Sequence, residues 1–270
     1  MIRGLVGVSL TDPLTMIQRL QLINSFHEWT RALELEIELD PGEFTTIAEL
    51  YGYILKSISQ PGDVVVGHKT TMAHRIVGRL LRCVPDLKVI YCIRDPRDVV
   101  TSALKRFADE DTPLFEYIDQ WQKSYITIRN YLRNPEFNSR ILLLKYEDFI
   151  IDWSRTLDCL SQFLEVEKLV IPEKMDDYGE AWQGNSAFDD LKQAIDATPV
   201  GRWKIQNPEA GRIAEILLCR EMEQVGYNVS SPFENEERAQ VQNQYMEYCL
   251  MKAGVSVGQP NQQAESDMIR

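Results

Sequence analysis

The run Val89-Ile-Tyr-Cys-Ile-Arg-Asp-Pro-Arg-Asp-Val-Val-Thr-Ser-Ala-Leu-Lys-Arg-Phe107 restricts the fold more than any other stretch of the chain. Val89 to Ile93 is continuously apolar and rich in strand formers, the pattern of a strand covered on both faces in a parallel sheet. Asp95 supplies an N-cap, Pro96 a first-turn proline and Asp98 an acid near the third helical position, so a helix opens at about residue 95. Strand followed directly by capped helix is the unit of an α/β fold, and such sheets bind ligands outside the carboxyl ends of their strands. Arg94 stands at that end. Ser102 lies two turns into the helix with a side chain tilted back toward its positive N-terminus, so both can face one anion. The plain alternative is an ordinary strand-to-helix turn whose arginine pairs with Asp95 or Asp98.

A second unit of the same kind follows. Ile141-Leu-Leu-Leu-Lys145 reads as another buried strand, ends in Tyr146-Glu147-Asp148 and leads to a helical segment from Trp153 to Leu164. Further helices are predicted over Leu14 to Leu35, Phe44 to Ile58, His74 to Cys83, Pro113 to Leu132, Ala210 to Gln224 and Glu234 to Lys252, with a short strand over Val64 to Val66. In the long helix, Phe115, Ile118, Trp121, Tyr125, Ile128 and Leu132 share one side and read as core. A glycine turn with two cations, Val200-Gly201-Arg202-Trp203-Lys204, precedes the Ala210 helix.

Arg94-Asp-Pro-Arg-Asp-Val-x-x-Ser102 resembles the 3′-phosphate-binding motif of sulfotransferases that use 3′-phosphoadenosine-5′-phosphosulfate (PAPS). Three more segments resemble that family in the same order: the strand ending in Tyr146-Glu147-Asp148, Gly184-Asn-Ser-Ala-Phe188, and the Gly-x-Trp-Lys turn at Gly201 to Lys204. The resemblance spans roughly residues 62 to 229. It implies a P-loop-containing nucleoside triphosphate hydrolase-like sulfotransferase fold, a central parallel sheet flanked by helices. It also implies transfer of a sulfuryl group from PAPS to a hydroxyl or amine of a small acceptor, leaving adenosine 3′,5′-bisphosphate. By the same resemblance Arg94 and Ser102 bind the 3′-phosphate and Tyr146 lies near the adenine. Gly201, Arg202, Trp203 and Lys204 then fold over the cofactor.

Two departures temper the match. The family's 5′-phosphosulfate loop, a basic residue followed by Ser-Gly-Thr-Thr, has no counterpart; the nearest segment, Gly4 to Pro13, offers only backbone N–H groups and the hydroxyls of Ser9 and Thr11. Either the chain starts downstream of the loop, the reading slightly favoured, or the loop has degenerated. The alternative function is therefore a non-catalytic protein that binds adenosine 3′,5′-bisphosphate or PAPS and has lost transfer chemistry. Asp63-Val-Val-Val-Gly-His-Lys-Thr-Thr71 resembles the strand ending in Lys-Thr-His, with Lys69 and Thr70 matching and Thr71 at the histidine position. Lys69 and His68 are the catalytic candidates; His74, Glu43 and Glu49 stay open as general base.

Composition bounds the rest. A chain of 270 residues suffices for one α/β domain, here expected over 1–229, with a polar helix and a disordered tail over 230–270. A formal charge of -12 argues against nucleic acid as a partner and favours small or neutral acceptors. Five scattered cysteines without CxxC pairing read as reduced thiols of a cytoplasmic protein, and three histidines without an i, i+4 pair make a metal site unexpected. No apolar run reaches the length of a membrane span.

Overall fold

The computed structural model describes residues 44–59, 64–67, 76–107, 113–170, 197–230 and 232–254, with Thr15, Asp40, Gly42, Lys69 and His74 as single positions. The predicted helix over Leu14 to Leu35, apart from Thr15, lies outside these residues. So do the Gly4 to Pro13 segment, Gly184 to Phe188 and the tail beyond 254.

In chain order the elements are α1 (Ile47–Ile58), α2 (Val77–Cys83), β1 (Val89–Ile93), α3 (Pro96–Arg106), α4 (Leu114–Leu132), β2 (Ile141–Lys145), α5 (Tyr146–Ile151), α6 (Trp153–Leu164), α7 (Trp203–Gln206), α8 (Pro208–Val225) and α9 (Asn235–Lys252). Among the described residues the sheet is the hydrogen-bonded pair β1–β2. Asp95, two residues beyond β1, donates its N–H to the carboxylate of Glu147, two residues beyond β2, at 2.9 Å. The carboxyl ends of the two strands therefore coincide, and the pair is parallel. Each strand passes straight into a helix: α3 after β1 lies where the sequence predicts it, whereas α5 after β2 comes in addition to the helix predicted from Trp153.

Local chemistry explains the boundaries. Asp95 caps α3 by accepting from the Arg97 N–H, with Pro96 at the first helical position. Asn207 and Pro208 open α8 in the same way, and Gly226, at φ 83°, closes it in the left-handed conformation that other residues adopt only with strain. Helix α2 starts three residues later than its apolar spacing suggests, and Ile76 at its N-cap offers no side-chain acceptor for the free N–H groups. The strand expected over Val64 to Val66 does not form: Val64 and Val65 are 81% and 49% exposed, and no described strand lies beside them to take up their backbone hydrogen bonds.

The described residues divide into two compact units. One draws on Met1–Tyr91, Thr127–Leu144 and Ser154–Val170. Its core joins Val77, Leu81, Ile128, Phe137 and Ile141, with Val89, Tyr91 and Tyr131 against them. Arg140 donates to the carbonyls of Leu81, Val84 and Pro85 at 2.7 to 3.0 Å and so closes the end of α2. The other draws on Cys92–Ile126, Lys145–Trp153 and Ile171–Arg270. There α3 packs on α8, with α7 and α9 also against α8, around Val100, Ala214, Ile216, Leu218 and Met222. Ile118, Trp121 and Tyr125 of the α4 stripe are buried, as core residues should be.

Helix α9 docks on α4 through Tyr248, buried at 7% exposure, whose hydroxyl donates to Glu116. Lys252 reaches both Glu116 and Asp119, and Phe115 packs against the rings of Tyr245 and Tyr248. Hydrogen bonds from Gln120, Lys252 and Tyr248 hold the Glu116 carboxyl down at about 2, against an ordinary 4.5. A depressed folded-state value stabilises the protein above the unfolded value and ceases to do so as pH falls through the folded one. Glu116→Gln should therefore lower the thermal midpoint at pH 7 and have little effect near pH 2. The site is partly exposed, so a contribution of at most about 1 kcal/mol, or roughly 2–4 °C, is expected. Thermal unfolding across this pH range checks it; an effect that persists undiminished at pH 2 would show that the carboxylate charge is not what docks α9.

Candidate functional site

The candidate site is built where β1 hands over to α3, wholly within the second unit. Its foundation is Arg97, 7% exposed at the first turn of α3. The Arg97 guanidinium donates to both oxygens of Asp95, with Nε to Oδ1 at 3.0 Å and Nη2 to Oδ2 at 2.7 Å, and sends Nη1 to Glu215 Oε1 of α8 at 2.7 Å. Burial works against the charge, yet hydrogen bonding to Asp95 and the charges of Asp95, Glu215 and Asp98 hold the Arg97 pKa above its ordinary value. Glu215 Oε1 also accepts the Ser230 N–H at 2.7 Å, and Arg212 approaches Oε2 at 3.5 Å.

Around this core the strand ends are tied together. Glu147 accepts from the Asp95 N–H with one oxygen and from the Tyr227 hydroxyl, at 2.9 Å, with the other. Burial and the neighbouring Glu147 charge push the Tyr227 hydroxyl pKa far upward, so it stays a donor. Trp121 of α4 donates its indole N–H to the Arg94 carbonyl at 2.9 Å.

The turn before α8 is fastened to the start of α3. Both carboxylate oxygens of Asp98, 2% exposed, accept from it: Oδ2 from the Gly201 N–H at 2.7 Å and Oδ1 from the Trp203 N–H at 2.9 Å. Gly201 has φ 72° and needs the freedom of glycine. The Trp203 ring lies 4.7 Å from the Arg97 guanidinium. Gly211 also packs against the ring: a Cβ there would stand 2.3 Å from ring atom Cε3, so only glycine admits the indole.

Arg94 is the exception in this network. Its Nη2 donates to the Pro199 carbonyl at 2.7 Å and its guanidinium lies 5.0 Å from the centre of the Tyr146 ring, but its Nε is buried and has no partner. The alternative pairing of Arg94 with Asp95 or Asp98 is not made by hydrogen bonds: Asp95 belongs to Arg97, and Asp98 to the turn. Burial raises the Tyr146 hydroxyl pKa, with the positive charges of Arg94 and Arg202 acting in the opposite direction. The structure thus brings Arg94, Tyr146, Gly201, Arg202 and Trp203 into one neighbourhood. Lys204 is exposed, with its ammonium 6.0 Å from the Trp203 ring. Ser102 is half-buried on α3. Lys69 is exposed and His68 lies outside the described residues.

Glu49 has a different task from the one considered for it. Thr46 and Glu49 form a capping box at the start of α1: the Glu49 N–H donates to Thr46 Oγ1 at 3.1 Å, and Glu49 Oε2 accepts from Thr45 and Thr46. Hydrogen bonds from Thr45 lower its pKa, the wrong direction for a base working near neutral pH. No group of acidic, histidine or cysteine side chains among the described residues could hold a metal ion. No helix among them is long and apolar enough to cross a membrane.

Sequence reading did not single out Arg97, Asp98 or Glu215 as builders of the site. A signal existed for Glu215: it falls on the apolar face of α8 with Gly211, Ala214, Leu218 and Met222, where an unpaired acid would be costly.

Residues 13–169 match the model of a family described as the sulfotransferase family, which is more than half of the chain. Among solved structures, the chain is similar to a sulfotransferase domain from the curacin biosynthetic pathway, at 19% identity and TM-score 0.49, covering 80% of this chain and 78% of that one. It is also similar to a sulfotransferase domain from the olefin synthase of Synechococcus PCC 7002, at 16% identity and TM-score 0.40, covering 83% and 68%. No curated protein matches.

The Arg97 ion cluster yields a stability prediction. Arg97→Met should destabilise by about 3–5 kcal/mol, because it leaves Asp95 buried without its cation and Glu215 with Arg212 alone, at 3.5 Å. Adding Glu215→Gln should recover part of that loss in urea denaturation, since the second charge is then gone too. A fully additive double variant would show that the two side chains do not act as a pair.

Proposed function

The chain belongs to the sulfotransferase family, and on that premise we propose that it transfers a sulfuryl group from PAPS to a hydroxyl or amine of a small acceptor. The supporting observation is the buried, unpartnered Nε of Arg94. A buried donor left unmade costs about 1–3 kcal/mol, and a phosphate oxygen would satisfy it with a charge-assisted bond. In this reading Arg94 takes the 3′-phosphate, with Ser102 as a weaker neutral donor. Tyr146, already stacked on Arg94, offers the adenine a flat, half-buried face. Arg202 and Lys204 bring positive charge along the turn, Gly201 lets that turn approach closely, and Trp203 supports it from below.

PAPS supplies the activated sulfuryl group; the chain's own residues bind and orient it. Sulfuryl transfer builds charge on the oxygens flanking sulfur, so catalysis needs cations aimed at those atoms. Lys69 is assigned that task, with His68 as the candidate to accept the acceptor's proton. The exposure of Lys69 agrees with a residue that acts on a ligand and not on the core.

The test is titration calorimetry with adenosine 3′,5′-bisphosphate and with the same nucleotide lacking its 3′-phosphate. Arg94→Ala should weaken the bisphosphate by about ten- to a hundredfold and the second nucleotide much less. Ser102→Ala should act in the same direction by about fivefold. Equal losses for both nucleotides would make Arg94 a structural residue and remove the basis of the proposal. Arg202→Ala and Lys204→Ala should reduce bisphosphate affinity in a way that fades as salt rises, without lowering the melting temperature.

A further inference from the structure

The family resemblance points to the cations of the turn, but the residue that sets where those cations stand is an acid. We propose that Asp98 is the positioning residue of the nucleotide site, a latch that fixes the turn carrying Arg202 and Lys204 to the helix that follows Arg94. The inference rests on the nucleotide-binding reading above and goes beyond it, because Asp98 itself touches no ligand.

The geometry gives Asp98 this role and leaves no other residue to share it fully. One carboxylate spans two N–H groups of the turn, those of Gly201 and Trp203, at 2.7 and 2.9 Å, across more than a hundred residues of sequence. The residues flanking Arg202 are thereby pinned on both sides, and Lys204 follows immediately. Arg94 adds a third tie from the same strand end, through Nη2 to Pro199. A ligand held by the remaining donors of Arg94 consequently meets a turn whose position Asp98 has already fixed. The charged groups facing Asp98 are Arg94, Asp95 and Arg97. Arg97 is committed to Asp95 and Glu215, so the acid is free to serve the turn.

An uncharged oxygen could not do the same. In Asp98→Asn one oxygen still accepts, but the amide NH2 meets the second backbone N–H donor to donor, and one of the two ties is lost. The turn loosens without any ligand-contacting side chain having changed.

The test combines a ligand readout with one that needs no ligand. In amide hydrogen exchange, Gly201 and Trp203 should exchange about tenfold or more faster in Asp98→Asn than in the unaltered chain, while amides in the middle of α8 are unaffected. In calorimetry with adenosine 3′,5′-bisphosphate, Asp98→Asn should lose roughly tenfold in affinity. In a chain already carrying Arg202→Ala and Lys204→Ala, the same substitution should lose little more, because the groups it positions are gone. A loss of equal size in both backgrounds overturns the proposal, as does unchanged exchange at Gly201 and Trp203. Should Asp98→Asn not fold, exchange in the unaltered protein decides: the bisphosphate must slow Gly201 and Trp203 further, and no slowing on binding overturns the latch. If the unaltered chain binds no bisphosphate at all, the nucleotide reading fails and Asp98 positions no nucleotide site.

Discussion

The buried guanidinium of Arg97 is the interaction on which the second unit depends. A charge at 7% exposure persists only when paired and fully hydrogen-bonded, and its partners come from two places: Asp95, two residues away, and Glu215, on α8. That requirement fixes how α3 and α8 meet. It also orients Asp95, whose own N–H is then directed to Glu147 at the end of β2, and Glu147 in turn holds Tyr227. One cation thus organises a chain of contacts from the strand ends to the segment following α8. Apolar packing around Val100, Ala214 and Leu218 supplies adhesion, but it is non-directional. The polar chain selects a single arrangement of the helices, the role best attested for buried ion pairs.

Two arginines three positions apart have opposite fates, and the difference separates scaffold from site. Arg97 gives its donors to carboxylates. Arg94 gives one to a backbone carbonyl, lays its plane near Tyr146 and leaves a buried donor unused. Natural folds leave few such groups, and a ligand, water or ion is one way the bonding is completed. The formal charge of -12 makes the contrast sharper. An acidic protein attracts no polyanion by its overall field, so any anion site must be made locally, from cations whose hydrogen-bond donors the surrounding acids do not occupy. Asp98 lies close enough to Arg94 for their charges to act on each other, yet neither Asp95 nor Asp98 takes a hydrogen bond from it. Both are committed elsewhere, Asp95 to Arg97 and Asp98 to backbone N–H groups.

Much of this was legible in the sequence, for identifiable reasons. The two strands, the capped helix α3 after β1, the helix α6 beyond β2 and the core stripe of α4 follow from continuous apolar runs, from Asp95-Pro96 and from period-3.6 spacing, all of which are local signals. Arg94 and the Gly201 to Lys204 turn were legible through spacing that resembles a family. What could not be read was the partner of each charge. Asp95, Arg97 and Asp98 alternate in sign within four residues, and nothing local decides which acid binds which base. The choice depends on Glu215 and on the amides of Gly201 and Trp203, each brought in across a hundred residues or more. The Val64 to Val66 stretch failed for the related reason that strand propensity is realised only beside another strand.

The turn at residues 197–206 shows how the fold can hold a flexible type of structure rigid. A glycine-containing turn is entropically costly to order, and a ligand that had to order it would bind more weakly by that amount. Here the cost is met in the fold itself. Asp98 ties the backbone at two points, Arg94 ties it at Pro199, and the Trp203 ring meets both the Arg97 guanidinium and the bare backbone of Gly211. Downstream, Asn207 and Pro208 anchor the turn to the first residues of α8, which is itself locked to α3 through Glu215. Gly211 is small because Trp203 needs its space, Trp203 is placed by Asp98 and Arg97, and Arg97 is held by the acids that also define the helix start. The scaffold and the candidate site therefore share residues, which is why the most buried charges of the unit surround Arg94, whose Nε is left unpartnered.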